Sequence, residues 1–236
     1  ACAGLPVEEI GAPMDVLWFR VSKGAETESV LARIESGQMM ITLDRGDYWQ
    51  CAYVIAKGQF DAVKAAGLES FRANICHLAP ILQSTIGDIK SWDDVKLLTV
   101  AINRLKRWTR PGLLCIGDAA HAMSPVGGVG INLAVQDAVA AANLLAEKLR
   151  DGTPSESELD AVRRRREFPM RVTQAMQVAV QNNVVTMALR QGGGPIKPPL
   201  FARIINAVPW LQGWTARFLA VGVRPEHVRS PVAAPA

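Results

Sequence analysis

The sequence predicts a mixed fold with α+β and α/β parts: an antiparallel sheet, then a strand, a glycine-rich loop and a helix, and finally a helical C-terminal region. Three observations carry this expectation. Short β-branched and aromatic runs alternate with polar turns between Pro13 and Ile55. The apolar run Leu113 to Ile116 passes through Gly117-Asp118 into a loop containing Pro125, Gly127, Gly128 and Gly130. Apolar residues then recur at helical spacing from Ile131 to Leu149. With 236 residues, 49% of them hydrophobic, the chain can bury a sizeable core.

The first strands are Met14 to Val21, Ser29 to Glu35, Met39 to Leu43 and Tyr48 to Ile55. Asp44-Arg45-Gly46-Asp47 joins the last two, and its glycine suits a tight hairpin. The Arg-Gly-Asp tripeptide is read as that turn rather than as an adhesion motif. Trp18, Trp49 and Tyr53 lie on this sheet, where they either pack into the core or line a substrate pocket. Phe60 to Leu78, ending before Pro80, has the spacing of a helix pair or a broken helix. Lys96 to Ile102 and Arg104 to Trp108 read as strands, and Leu113 to Ile116 as a buried one.

The next helix should bury Ile131, Val135, Ala138, Ala142, Leu145 and Leu149 and end at Gly152. A second long helix, about Ser157 to Leu189, should present Leu159, Val162, Val172, Met176, Val180, Val184 and Met187 on one face and kink at Pro169. Arg163 to Arg166 on it reads as a solvated, ion-paired surface. After the Gly-Pro break around Gly192 to Pro199, Leu200 to Val223 is apolar, and Trp210 and Trp214 should pack in a core or against another subunit. The expected division is therefore a sheet with helices over 1–110, the strand, loop and helix over 111–152, and a helical region over 153–236.

Composition narrows the function. The 26 basic and 22 acidic residues leave a net charge of +4, too small and dispersed to argue for a nucleic-acid partner. Cys2, Cys51, Cys76 and Cys115 form no CxxC pair, so neither a metal site nor a disulfide framework is expected, and reduced thiols point to the cytoplasm. No leader and no run of about 18 apolar residues suggests a membrane span.

The chemistry-bearing segment runs from Leu113 to the helix beginning near Ile131. A strand, a glycine loop and a helix N-terminus together turn backbone N–H groups and the positive end of a helix dipole outward, which favours an electron-rich or anionic ligand. An Asp at the strand end can accept hydrogen bonds from ribose-like hydroxyls. The spacing has no Walker Lys-Ser/Thr and no GxGxxG. On spacing alone, a cofactor loop and an ordinary loop-to-helix connection both remain open.

The run Gly117-Asp118-Ala119-Ala120-His121-Ala122-Met123-Ser124-Pro125-Val126-Gly127-Gly128-Val129-Gly130-Ile131-Asn132, with Asp137-Ala138 following, closely resembles the second FAD motif of the class A flavoprotein monooxygenases related to para-hydroxybenzoate hydroxylase. The resemblance implies that Asp118 hydrogen-bonds the ribityl or ribose part of FAD and that Pro125 lies beside the flavin ring. It implies that Gly127, Gly128, Gly130, Ile131 and Asn132 bring backbone amides to the pyrimidine edge. FAD would be the cofactor and NAD(P)H the cosubstrate, with hydroxylation of an apolar or aromatic small molecule as the reaction.

By the same resemblance, the early strands form a substrate-domain sheet, residues 111–152 belong to an FAD-binding Rossmann-like domain, and the tail through Val223 to His227 joins the C-terminal helices. The family's N-terminal GxGxxG unit and its middle Asp-Gly motif have no counterpart in this sequence. The chain is therefore expected to be the later part of a longer polypeptide, with an N-terminal FAD-binding segment as the partner that completes the site. A homodimer is the oligomer considered. Two other readings stand beside this one: a non-catalytic fragment or interaction module, and a flavin reductase or dehydrogenase of the same fold. No catalytic residue is assigned, and His121 is either a loop histidine bonded to backbone or a functional group.

Overall fold

The computed structural model describes residues 3–24, 32–35, 37–185 and 208–229. These fall into two compact units that interleave along the chain. One comprises the described residues of Ala12–Val100 and Val180–Pro198, and the other those of Ala1–Gly11, Ala101–Ala179 and Pro199–Ala236.

The strands of the first unit are β2 (Met14–Ser22), β3 (Ala32–Glu35), β4 (Gln38–Asp44), β5 (Tyr48–Ala56) and β6 (Lys96–Leu98), while β1 (Val7–Glu9) belongs to the second. They form one antiparallel sheet in the order β3-β4-β5-β2-β6, with Met14 opposite Ala56 and Ser22 opposite Tyr48. The period of two puts Leu17, Phe19 and Val21 on the same face as Trp49, Cys51, Tyr53 and Ile55. Helices α1 (Phe60–Ala65) and α2 (Leu68–Leu78) follow, and α2 answers that face with Phe71, Ile75 and Leu78 at helical spacing. Phe71 meets Phe19 and Tyr53 edge-on, with ring centroids 5.7 and 5.5 Å apart. Trp49 and Tyr53 are thus core residues.

A charged group, Asp15, is buried in this sheet. The Asp15 carboxylate accepts from Lys57 Nζ at 2.8 Å and from the N–H groups of Gly58 and Val100 at 2.9 and 3.0 Å, tying the residues after β5 and after β6 to β2. The turn at Asp44 to Asp47 is a hairpin as expected: Gly46 takes φ +94, and Asp44 accepts from its N–H at 2.9 Å. Ser29 to Leu31, the first part of the expected second strand, lies outside the described residues.

In the second unit β1 pairs with β7 (Asn103–Leu105), and β8 (Thr109–Arg110) pairs with β9 (Leu113–Leu114). The strands expected over Lys96 to Trp108 are therefore shorter than predicted. The run Leu113 to Ile116 is not a buried strand either. It is a half-buried two-residue ladder, because among the described residues only β8 pairs with it.

Helix α3 (Gly130–Asp151) ends at Gly152 as expected, and α4 (Glu156–Val180) contains Pro169. The apolar pattern misplaced the buried face of both. On α3 the buried residues are Leu133, Asp137, Ala140 and Leu145, whereas Ile131, Val135 and Leu149 are exposed. On α4, Leu159 and Val162 are buried as expected, but the second half turns Arg166, Thr173, Gln174 and Gln177 inward. Residues at successive positions differ by about 100° around a helix, so a run of four arginines cannot all face solvent. Arg163 and Arg164 do pair with Asp160, and Arg165 with Glu226, but Arg166 is fully buried. The expected continuation of this helix beyond residue 185 lies outside the described residues.

Helix α5 (Pro209–Val221) exposes Trp210 and Trp214 instead of packing them in this chain, and Trp214 stacks on Phe218 at 6.1 Å. Its last carbonyls, left without intrahelical donors, are capped from α3: Asn132 donates to Ala220 O at 2.8 Å and Gln136 to Val221 O at 2.9 Å. By length and composition α3 is apolar enough to cross a membrane. It carries a buried Asp137 bonded to Gly117, His121 and Arg166, and its amides reach the end of α5.

Candidate functional site

The site is built where β9 hands over to α3. Gly117 opens a tight turn over Gly117–Ala119 at φ +56, a left-handed conformation that disfavours side chains, and its carbonyl accepts from Ala120 and His121 N–H at 2.8 and 2.9 Å. A Cβ on Gly117 would lie 2.9 Å from Ala134 Cβ, so only glycine lets the turn rest directly on α3. The next residue, Asp118, is held out to solvent and makes no hydrogen bond or ion pair among the described residues.

Beneath the turn is a buried polar network. Asp137 Oδ2 accepts from Gly117 N–H at 3.1 Å and lies 2.6 Å from His121 Nε2, while Oδ1 accepts from Arg166 Nε at 2.9 Å. A carboxylate only accepts, so Nε2 carries the proton of this pair. His121 also packs against Trp108, its ring centroid 5.2 Å away. Arg166 also donates to Gln136 Oε1 and to the Arg224 carbonyl, both at 3.2 Å, and lies 3.8 Å from Glu226. Burial alone would raise the Asp137 carboxyl, but its bonds to His121, Arg166 and Gly117 outweigh that and hold it below the ordinary carboxylate range. His121 is thus neither a histidine bonded to backbone through its ring nor exposed to a ligand: it is 1% exposed and serves Asp137.

The loop that follows is held from α4. Gln174 Nε2 donates to the carbonyls of Asn103 and Ala122 at 3.1 and 3.3 Å, and Gln177 Nε2 to those of Ser124 and Val126 at 2.8 and 2.9 Å. Pro125 is half-buried between the two residues that Gln177 holds. Gly127 and Gly128 take φ +79 and +63 and are exposed. Gly130 begins α3 close under Met123, where a Cβ would come within 3.5 Å of Met123 Cβ. Ile131 is 71% exposed, and Asn132 is half-buried with its amide on Ala220.

All seven sequence-derived cofactor residues therefore lie on one unit, Asp118 on the turn and the others on the loop and first turn of α3. Their surroundings fit an electron-rich planar ligand. The N-cap of α3 is Val129, with no side-chain cap, and the first turn holds no acidic residue. The positive end of a 22-residue helix is left for a ligand to neutralise. The surface above Gly128 is open, with nothing within 4 Å of where its Cβ would be.

Residues that spacing did not single out hold this arrangement: Arg166, Gln174 and Gln177. Their only sequence signal is position. With the apolar Val162 and Met170 they form one inward row on α4, 162, 166, 170, 174 and 177, at steps of four and three.

Residues 5–176 match the family described as an FAD binding domain. The chain is 31% identical over 230 residues to a 6-methylpretetramide 4-monooxygenase of Streptomyces rimosus, covering 97% of this chain and 54% of that protein. It spans about half the length of that relative. Among solved structures, pqsL, a probable FAD-dependent monooxygenase from Pseudomonas aeruginosa, superposes with a TM-score of 0.60 at 21% identity, over 80% of this chain and 52% of that one. The flavin-dependent brominase Bmp2 superposes with a TM-score of 0.64 at 14% identity, over 91% of this chain and 52% of that one. These two likenesses speak for the fold.

Proposed function

The chain belongs to the FAD-binding-domain family of class A flavoprotein monooxygenases, and we propose on that basis that it supplies the flavin end of the cofactor site and the substrate-side sheet of an NAD(P)H-dependent monooxygenase acting on an apolar or aromatic small molecule. The observation that carries this is the uncapped start of α3 beside the exposed, unpaired Asp118. When bound, FAD supplies the redox chemistry, taking electrons from NAD(P)H and using O2 to oxygenate the substrate.

The chain's own residues bind and orient. Asp118 accepts hydrogen bonds from ribityl or ribose hydroxyls. Pro125 offers a flat apolar surface to the ring. The N–H groups at Gly130 and Ile131, which the helix itself leaves unpaired, face the electron-rich pyrimidine edge and stabilise negative charge there. Gly127 and Gly128 let backbone approach without an intervening Cβ. The network at Asp137 is buried beneath the turn. It fixes the turn that aims Asp118.

A relative named for 4-monooxygenation of 6-methylpretetramide supports a small-molecule substrate. The test is oxygen uptake by the full-length protein with FAD and NADH or NADPH, across a panel of aromatic and apolar compounds. Uptake that depends on the compound and yields a hydroxylated product is expected. Efficient electron transfer to another acceptor without such uptake would make the protein a flavin reductase or dehydrogenase. Protein that ignores added FAD would leave only the interaction-module reading.

A further inference from the structure

The carbonyls of Ala122, Ser124 and Val126 line the segment that runs from the turn at Gly117 into the tight turn Val126–Gly128. Two side-chain amides one helical turn apart on α4 donate to them: Gln174 to Ala122, which also accepts from Asn103 N–H at 3.2 Å, and Gln177 to Ser124 and Val126. Gln174 is itself braced, since its Oε1 accepts from Arg104, whose guanidinium also grips Glu8 through two bonds of 2.9 and 2.6 Å. Both glutamines are 1% exposed, so neither can touch a ligand in solvent.

Gln177 is chemically specific. Its one nitrogen carries two protons, and two carbonyls 2.8 and 2.9 Å away use both. Leucine offers no donor, and ionised glutamate only acceptors. The residues whose carbonyls are taken flank Pro125, and the glycine backbone begins immediately after them.

We propose that Gln177 is a positioning residue for the cofactor: by drawing the Ser124 and Val126 carbonyls into the protein, it fixes Pro125 against the flavin ring and turns the backbone from Gly127 onward toward it. This rests on the cofactor assignment made for the loop under Proposed function. Gln177 acts through the loop and sets how the ring sits, so its loss changes the flavin's environment as well as its affinity.

The test compares Gln177→Leu, Gln177→Glu and Asp118→Ala in the full-length protein. FAD affinity is read by flavin fluorescence, the environment of bound flavin by its visible absorption bands, and folding by circular dichroism. Gln177→Leu is expected to weaken FAD roughly tenfold, the loss of one or two buried hydrogen bonds, and to shift the visible bands. Gln177→Glu is expected to behave likewise at about pH 8 and to recover in part at about pH 5.5, where a protonated carboxyl can again donate one of the two hydrogen bonds, while wild type changes little between them.

A purely structural role would lower the Tm of both variants with the bound-flavin bands and pH response of wild type, and would overturn the proposal. If Gln177→Leu does not fold, the pH response of Gln177→Glu decides alone: no recovery at low pH overturns it. Loss of FAD in Asp118→Ala with unchanged Gln177 variants sinks the positioning role and keeps the cofactor site. Unchanged binding in all three sinks both.

Discussion

The backbone N–H of Gly117 donates to the Asp137 carboxylate at 3.1 Å, across twenty residues of chain, so the turn that presents Asp118 is fastened to α3, about two turns from its start. Gly117→Ala should therefore disturb more than a loop. A side chain there meets a left-handed φ of +56 and a 2.9 Å contact with Ala134 Cβ. The expected cost is about 2–4 kcal/mol. Chemical denaturation measures it, and a variant as stable as wild type would refute the close approach.

The Asp137–Arg166 pair should behave as one unit. Removing either partner leaves the other charge buried, at about 3–5 kcal/mol. Asp137→Asn, Arg166→Met and the double variant form a cycle in which the double loss is expected to be well below the sum of the singles. Additive losses would show that the two groups do not interact.

Acid stability should follow the same carboxylate. Its folded pKa is lowered from an ordinary 3.8, so its stabilisation is complete above that value and is lost as pH falls through the lower folded value. Between neutral pH and strong acid, wild type should lose more stability than Asp137→Asn, although the variant starts from less. Parallel curves in urea titrations at a series of pH values would contradict this.

Asp118 makes the opposite kind of prediction. It is exposed and unpaired, so Asp118→Ala should leave stability within about 0.5 kcal/mol. FAD affinity should nevertheless fall about tenfold, the value of a charge-assisted hydrogen bond. Paired thermal melts and flavin titrations separate the two effects.

Much of this was legible in the sequence where one periodicity has one meaning. Strands β2, β4 and β5 were found to within a residue or so, because alternation with polar turns has few other structural explanations. The chemistry-bearing segment was found as a contiguous run. What failed was the inward face of the two long helices. An alanine-rich helix carries apolar residues nearly all round, so hydrophobicity cannot say that Asp137 faces in and Ile131 and Val135 face out. Arg166 was hidden among its neighbours Arg163 to Arg165 for a related reason: a buried arginine differs from a surface one only by its partner, which lies 29 residues away in the chain.

The absence of a side-chain cap at Val129 has a thermodynamic meaning. A helix start that no residue completes is finished by whatever occupies it, so ligand occupancy and ordering of the first turn share a single equilibrium. By mass action, a ligand at about a hundred times its Kd adds roughly 2.7 kcal/mol to the folded state. For this protein a rise in melting temperature is itself a binding assay, readable for any flavin fragment before a substrate is known.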